Sequence, residues 1–202
     1  EMTNDMASSC PDSKIMASFS LDGLEKTHDK IRKSEGSFQR ALETFRLTKT
    51  ANKHNSNFYA SIVITAQDAN KDELIPLIQI LEKEVGPDGI YLNLYRDHTK
   101  PSNVIINPST LKSYKEAVSY IENLKEKNRL KSQGILDWLL IKKDKFQKRI
   151  ITQIAEKNAW QISCLAGKVS TVIDETGNVY ACELLKKPLG NILKNNFRDI
   201  WF

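Results

Sequence analysis

The first half of the chain alternates between two hydrophobic patterns. Three near-continuous apolar stretches, rich in β-branched and aromatic side chains, predict buried strands at residues 14–21, 58–66 and 90–95. Between them, apolar residues recur every three or four positions at 37–53 and 72–84, which predicts amphipathic helices. The order strand, helix, strand, helix, strand is typical of parallel βαβ units. Such apolar strands predict a sheet that is covered on both faces.

The second half begins with two predicted helices. Asn107 and Pro108 form a capped helix start with proline in the first turn, and the apolar spacing continues to about Leu130. Gly134 interrupts this pattern, and a second helix is predicted at 135–157. Because the interruption is short, we expect the two helices to pack as a pair.

The last part of the chain is rich in short strands and turns. Strands are predicted at 169–174 and 179–182, on either side of a turn at Gly177, and a closing helix is predicted at 191–202. These changes of pattern divide the chain into three predicted regions, at residues 1–106, 107–158 and 159–202.

Composition and charge are those of a globular protein. Hydrophobic residues make up 40% and charged residues 27% of the chain. The formal net charge of +5 comes from lysines spread along helix faces, which favours a solvated surface over a nucleic-acid interface. No apolar run reaches the roughly 20 residues that span a bilayer, and no secretory signal is visible. We therefore expect a cytoplasmic protein with no membrane or nucleic-acid partner.

Both ends of the sequence resemble those of a truncated protein. The first residue is Glu1 rather than methionine, and the last residues are the apolar Ile200, Trp201 and Phe202. We expect the sequence to be a fragment of a longer protein, with a degenerate relative of a larger family as the alternative.

Two of the three cysteines lie on either side of the predicted hairpin. Twelve residues separate Cys164 from Gly177 and four separate Gly177 from Cys182, so the turn would bring one thiol near the other. Thiolates suit zinc, Cu(I) or iron–sulfur clusters, and this pair would be half of such a site. Cysteines at this separation also occur as small core residues, so both interpretations stay open. Cys10 stands alone and is predicted to be a loop or core thiol.

This cysteine pattern resembles the auxiliary-cluster domain, called SPASM or twitch, of radical S-adenosylmethionine enzymes. The spacing of Cys164, Gly177 and Cys182 agrees with that domain, as do the downstream segments Leu189-Gly-Asn-Ile and Asp199-Ile-Trp.

An upstream segment resembles the same family. Phe19-Ser-Leu-Asp-Gly23, followed by His28-Asp29 and Arg32, is similar to the fourth-strand region of the family's barrel. The resemblance implies an α/β fold, the C-terminal part of a partial (β/α)6 TIM-like barrel in residues 1–106. A helical linker pair would follow in 107–158, and a small α+β SPASM or twitch domain would begin in 159–202.

The resemblance also implies cofactors and a reaction. The family binds a [4Fe–4S] cluster through a CxxxCxxC loop, and this cluster reduces S-adenosylmethionine to a 5′-deoxyadenosyl radical that abstracts a substrate hydrogen. Auxiliary clusters help to bind substrate or carry electrons. This sequence has no CxxxCxxC, so we expect that motif upstream and no activity from the fragment alone. The implied partners are a peptide or small-molecule substrate and an electron donor such as a flavodoxin or ferredoxin.

Candidate site residues follow from the resemblance. Cys164 and Cys182 would be metal ligands. A second set lies in the region where similar enzymes contact the ribose and carboxylate of S-adenosylmethionine, and it consists of Ser20, Asp22 and Arg32.

Two further candidates are Arg96 and Glu183. Arg96 follows the third strand, where a charge faces an opening more readily than a core, so it is predicted to contact ligand or substrate. Glu183 stands where sulfatase-maturing members have an aspartate thought to act as a general base, although a hydrogen-bonding or capping role stays open. His28 and His98 are predicted to be surface or turn histidines.

Two other functions stay open. The chain could be a non-catalytic, barrel-derived binding module whose cysteines hold a structural metal. It could also be an ordinary α/β enzyme with buried cysteines.

Overall fold

The computed structural model describes most of the chain in two compact units. The described residues up to 157 form the first unit, and the described residues from 159 onward form the second. The described residues are 13–55, 57–95, 106–126, 135–157, 159, 161, 163–182, 185 and 187–201.

A parallel three-stranded sheet is the centre of the first unit. Its strands β1 (Ile15–Ser20), β2 (Phe58–Ala66) and β3 (Gly89–Leu94) are neighbours in the order β1-β2-β3. The register places Phe19 beside Ile62, and Ile62 beside Ile90. The predicted α/β class with parallel strands is therefore confirmed.

Three short helices connect the strands. Helices α1 (Glu25–Arg32) and α2 (Ser37–Ala51) lie between β1 and β2, and α3 (Leu74–Ile80) lies between β2 and β3. The sequence pattern did not predict α1, because its one fully buried residue is a histidine rather than part of an apolar stripe. The helix predicted at 72–84 is a 3₁₀ turn, α3 and a π-helical turn in succession.

Two longer helices complete the first unit. Helix α4 (Pro108–Glu126) and helix α5 (Ile135–Lys157) contact each other, as predicted. An ion pair between Lys115 and Glu156 joins the start of α4 to the end of α5. The predicted extension of α4 to residue 130 lies outside the described residues.

The hydrophobic core uses one face of the sheet. Ile62, Ile64 and Ile90 are fully buried and belong to the same core as Phe45 of α2 and Leu77 of α3. Burial of an isoleucine or phenylalanine side chain contributes about 1.5–3 kcal/mol, so this face supplies most of the stabilisation.

The opposite face of the sheet, here called the polar face, mixes polar with apolar side chains. It carries Ser18, Ser20, Ser61, Thr65 and Asn93 together with Met16, Tyr59, Val63 and Tyr91. The hydroxyls of Ser18 and Ser61 are 2.8 Å apart, while Ser20 and Asn93 are exposed. The prediction of a sheet covered on both faces is therefore wrong for the described residues. The apolar residues Tyr59 and Val63, which alternate with Ser61 and Thr65 in β2, hid the polar face from the sequence pattern.

The second unit is a small antiparallel sheet followed by a helix. Its strands are β4 (Val172–Ile173), β5 (Asn178–Tyr180) and β6 (Gly190–Asn191), and α6 (Phe197–Trp201) follows. The closing helix begins later than predicted because residues 190–191 pair with β5 instead. No helix in the described part of the chain is long and apolar enough to span a bilayer.

Candidate metal centre and strand-end site

Cys164 and Cys182 both belong to the second unit, and neither is buried. Cys164 is exposed and Cys182 is partly exposed, and neither forms a disulfide with another described residue. A cysteine that served only to fill a core would be among the most buried residues of the chain. The exposure of both thiols therefore argues against the core interpretation and leaves them accessible to a ligand.

A close backbone approach places the two cysteine segments side by side. A Cβ atom on Gly167 would lie 2.9 Å from the Cβ of Ala181, closer than two such atoms can approach, so this position requires glycine. The Gly167 N–H donates to the Ser170 carbonyl at 3.0 Å and closes the turn after Cys164. Because Ala181 directly precedes Cys182, this contact brings the turn after Cys164 against the segment that follows Tyr180 and carries Cys182.

The predicted turn at Gly177 is confirmed. Gly177 has φ +81°, a left-handed conformation that favours glycine, and its N–H donates to the Asp174 carbonyl at 3.0 Å. The Asp174 N–H donates to the Asn178 carbonyl at 3.0 Å and closes the hairpin. The chain thus reverses direction between β4 and β5, and β5 leads towards Cys182.

The side chain of Asp174 stabilises this turn. Its carboxylate accepts hydrogen bonds from the Thr176 hydroxyl at 2.7 Å, the Asn178 N–H at 2.9 Å and the Tyr180 hydroxyl at 3.1 Å. These bonds, that of Thr176 first, hold the pKa of Asp174 far below its ordinary value. The same carboxylate raises the pKa of Tyr180, whose proton it accepts in the hydrogen bond.

The downstream motif residues attach the third strand and α6. The Leu189 N–H donates to the Val179 carbonyl at 2.7 Å, and the Asn191 amide donates to the Asn178 side chain at 2.9 Å. A Cβ on Gly190 would lie 2.8 Å from Cγ1 of Ile200, so glycine allows α6 to pack closely against β6. The sequence pattern predicted a closing helix at 191–202 and gave no structural role to Leu189 or Gly190.

Residues 164–202 match the SPASM family model, an iron–sulfur cluster-binding domain. The SPASM match begins at Cys164 and includes the hairpin, Cys182, β6 and α6. It confirms the predicted auxiliary-cluster type of this segment, and it supports an iron–sulfur cofactor. No curated protein sequence matches the chain.

The cysteines of the SPASM segment are of the chemical type that binds iron–sulfur clusters. Thiolates are the usual ligands of such clusters, and a [4Fe–4S] cluster generally takes four of them. Cys164 and Cys182 can supply two. Among the described residues, no group of three or more cysteine, histidine or carboxylate side chains lies together.

A second group of candidate residues lies where β1 ends. The Arg32 guanidinium is 2.5 Å from Oδ2 of Asp22, and Oδ1 of Asp22 accepts the Thr65 N–H at 2.8 Å. Asp22 is buried, whereas the Arg32 side chain is 42% exposed. The guanidinium therefore pairs with a buried carboxylate and still contacts solvent. Ser20 is exposed on the polar face. The structure thus brings Asp22 and Arg32 into direct contact.

His28 and Asn70 support this strand end, a role that the sequence interpretation gave to neither of them. His28 is 2% exposed and its Nδ1 accepts the Asp22 N–H at 2.9 Å, so its prediction as a surface or turn residue is wrong. Burial lowers the pKa of His28, which keeps the ring neutral near pH 7. The buried Asn70 amide donates to the carbonyls of Asp22 and Thr65 at 2.7 and 2.9 Å.

Several predicted residues lie outside the described part of the chain. Arg96 and Glu183 are among them, so their predicted roles as a ligand contact and a general base stay predictions. The same holds for Cys10 and His98.

Proposed function

We propose that this chain is part of a radical S-adenosylmethionine enzyme and that its SPASM segment binds an auxiliary iron–sulfur cluster. The observation that carries the proposal is the SPASM match to a hairpin whose two exposed or partly exposed cysteines stand on adjacent backbone segments. The cluster would supply electron transfer or a binding point for substrate. Cys164 and Cys182 would hold it as thiolates, together with ligands from outside this segment.

The topology of the sheet supports a barrel for the first unit. Strands β1, β2 and β3 are adjacent in sequence order, and the core lies on one face. Right-handed crossovers between sequential parallel strands place every connecting helix on the same face, which is the arrangement that curls into a TIM-like barrel. A doubly wound sheet instead reverses its strand order and is covered on both faces. In a barrel, the polar face would point inwards.

The strand-end residues suit the binding of S-adenosylmethionine. Asp22 fixes one edge of the Arg32 guanidinium, whose other N–H donors could pair with the carboxylate of the cofactor. The exposed Ser20 hydroxyl on the polar face could bind a ribose hydroxyl. In the same proposal, Arg96 contacts ligand or substrate and Glu183 accepts a proton from a peptide or small-molecule substrate. The electron donor would be a protein of the flavodoxin or ferredoxin type.

The test is reductive cleavage of S-adenosylmethionine by the polypeptide expressed from its own gene and purified without oxygen. We expect dithionite to drive release of 5′-deoxyadenosine and methionine. The variant Arg32→Gln should lower this rate at least about tenfold at low cofactor concentration, because one charge-assisted contact is lost. The control Arg46→Gln removes the same charge from the exposed side of α2 and should leave the rate unchanged.

Two results would contradict the proposal. Absence of 5′-deoxyadenosine from an iron-loaded protein would favour a non-catalytic module with a structural metal. Cleavage by the 202-residue chain alone would contradict the assignment of the radical chemistry to a CxxxCxxC loop, which this sequence lacks.

A further inference from the structure

Each polar group of the buried residue Asp22 has a partner at the end of β1. Its N–H donates to Nδ1 of His28 at 2.9 Å, and its carbonyl accepts the side-chain amide of Asn70 at 2.7 Å. Its Oδ1 accepts the Thr65 N–H at 2.8 Å, and its Oδ2 pairs with the Arg32 guanidinium at 2.5 Å. Because Asp22 is 3% exposed, water does not readily replace a partner that is lost. The position of the Arg32 guanidinium therefore depends on the contacts that hold Asp22.

His28 is the partner of Asp22 that titrates near neutral pH. The Asn70 amide and the Thr65 N–H do not titrate, and a guanidinium keeps its charge throughout this range. An imidazole has an ordinary pKa of about 6.5. A backbone N–H can only donate, so Nδ1 accepts and the neutral ring carries its proton on Nε2. Protonation would place a second donor at Nδ1, directly opposite the Asp22 N–H, and this hydrogen bond would be lost.

The packing around His28 favours the neutral ring. The residue is 2% exposed, and its ring meets that of Phe38 in α2 edge to face, with the ring centroids 5.8 Å apart. Burial is the largest effect on the ring and lowers the pKa of His28 below its ordinary value of 6.5. The hydrogen bond from Asp22 is therefore intact above pH 6.5 and is lost as pH falls through the lowered pKa.

Charged groups act on His28 from the loop after β1 and from α1 itself. Asp22 and Asp29 favour the protonated ring, whereas Arg32 opposes it. Both aspartates are engaged elsewhere, Asp22 with Arg32 and Asp29 with the N–H groups at the start of α2. From the turn before α3, the Glu73 carboxylate accepts hydrogen bonds at the start of α1. Burial thus remains the dominant effect on the ring.

We propose that His28 is a positioning residue of the strand-end site: its neutral ring holds Asp22, and through Asp22 it presents Arg32 to the carboxylate of S-adenosylmethionine. This inference rests on the proposed function of the site. Protonation of His28 releases Asp22, so the affinity for the cofactor falls with pH below 6.5. The carboxylate of the cofactor stays ionised in this range, so the change belongs to the protein.

The test is equilibrium binding of S-adenosylmethionine to the polypeptide expressed from its own gene and purified without oxygen. Near neutral pH, His28→Leu should weaken binding at least about tenfold, because Asp22 loses its acceptor and the Arg32 contact is displaced. His28→Asn, whose side-chain oxygen can take the place of Nδ1, should stay within about threefold of the wild type. The matched control His54→Asn, at an exposed position after α2, should leave the affinity unchanged.

Two further measurements separate positioning from a merely structural role. In an Arg32→Gln background, His28→Leu should cost less than about twofold, because the contact that it positions is already gone. As pH falls from about 7.5 to about 5, the dissociation constant of the wild type should rise at least about threefold, and that of His28→Asn should rise less. Without cofactor, the NMR signal of the Asp22 amide should follow the titration of the ring in the wild type.

Each contrary result has its own meaning. A wild-type protein that binds no S-adenosylmethionine contradicts the proposed function and removes the basis of this inference with it. Wild-type binding with unchanged affinity in His28→Leu, or with additive losses from His28→Leu and Arg32→Gln, overturns the positioning role alone. An identical pH dependence in the wild type and His28→Asn also overturns it, and this comparison decides the question even if His28→Leu does not fold.

Discussion

The SPASM hairpin depends on the turn before β5, and the carboxylate of Asp174 stabilises that turn. It accepts hydrogen bonds from Thr176, Asn178 and Tyr180, which together fix the turn before β5. The sequence indicated a turn here through Gly177 and Asn178. It did not indicate which side chain holds the turn, because that depends on a side-chain rotamer rather than on a pattern.

We expect Asp174→Asn to lower the protection of the Asn178 amide against hydrogen exchange. The amide group of asparagine has one acceptor oxygen, so it cannot replace both carboxylate oxygens. The pKa of Asp174 is depressed in the folded state, so its stabilisation is complete above the ordinary value of 3.8 and is lost as pH falls below it. The neighbouring Glu175→Gln removes the same charge and serves as control. Equal loss of protection in both variants would contradict this role.

Asp22 and the cysteines show what could be predicted at this scale. The sequence offered these residues as candidates through their chemical types and the family resemblance, and their roles stay predictions. Their partners in the fold could not be predicted. Thr65 lies 43 positions after Asp22, and only the sheet register brings the two together.

Helices and strands of the first unit were predictable where apolar residues follow a clear pattern along the sequence. Helix α5 begins and ends where the pattern indicated, and the three parallel strands do so within two residues. Helix α1 was missed because it has no apolar stripe, and the predicted strand at 169–174 is reduced to two residues. Short elements depend on contacts with distant residues, which a local pattern does not contain.

A contact between β2 and the start of β3 gives a prediction at the scale of elements. A Cβ on Gly89 would clash with the Tyr59 hydroxyl oxygen, and this hydroxyl donates to the Asp88 carbonyl at 2.7 Å. We therefore expect Gly89→Ala to lower the free energy of unfolding in urea by about 1–3 kcal/mol, as overpacking does. Adding Tyr59→Phe should recover part of this loss, because the clashing atom is removed.

The control for this pair is Gly86→Ala. A Cβ there meets nothing within 4 Å, so any cost comes from its φ of +61° alone. Tyr59→Phe should therefore not rescue it. If Tyr59→Phe restores stability to Gly86→Ala as well as to Gly89→Ala, a steric clash with the Tyr59 hydroxyl does not explain the loss in Gly89→Ala.

At the scale of the whole molecule, the two units differ in how they are stabilised. The first unit has an extended hydrophobic core. Among the described residues of the second unit, Val179 is the one buried hydrophobic side chain. A unit of this size with so little core usually depends on a disulfide or a bound metal. The SPASM match and the two cysteines agree with that expectation.

The α/β class and the nature of the SPASM segment were accessible from the sequence, but the one-sided core was not. The pattern of β2 is near-continuously apolar apart from Ser61 and Thr65, and only its register with β1 and β3 separates the core residues from the polar face. The division of the chain at residue 106 and the barrel itself stay predictions.

The most direct test of the central claim is the iron and sulfide bound by cysteine variants of the polypeptide expressed from its own gene. After anaerobic purification, Cys164→Ser and Cys182→Ser should each lose one auxiliary cluster's iron and sulfide, with the corresponding fall in visible absorbance. Cys10→Ser, which changes the third cysteine, should retain the wild-type content. Wild-type iron and sulfide in both Cys164→Ser and Cys182→Ser would contradict the account.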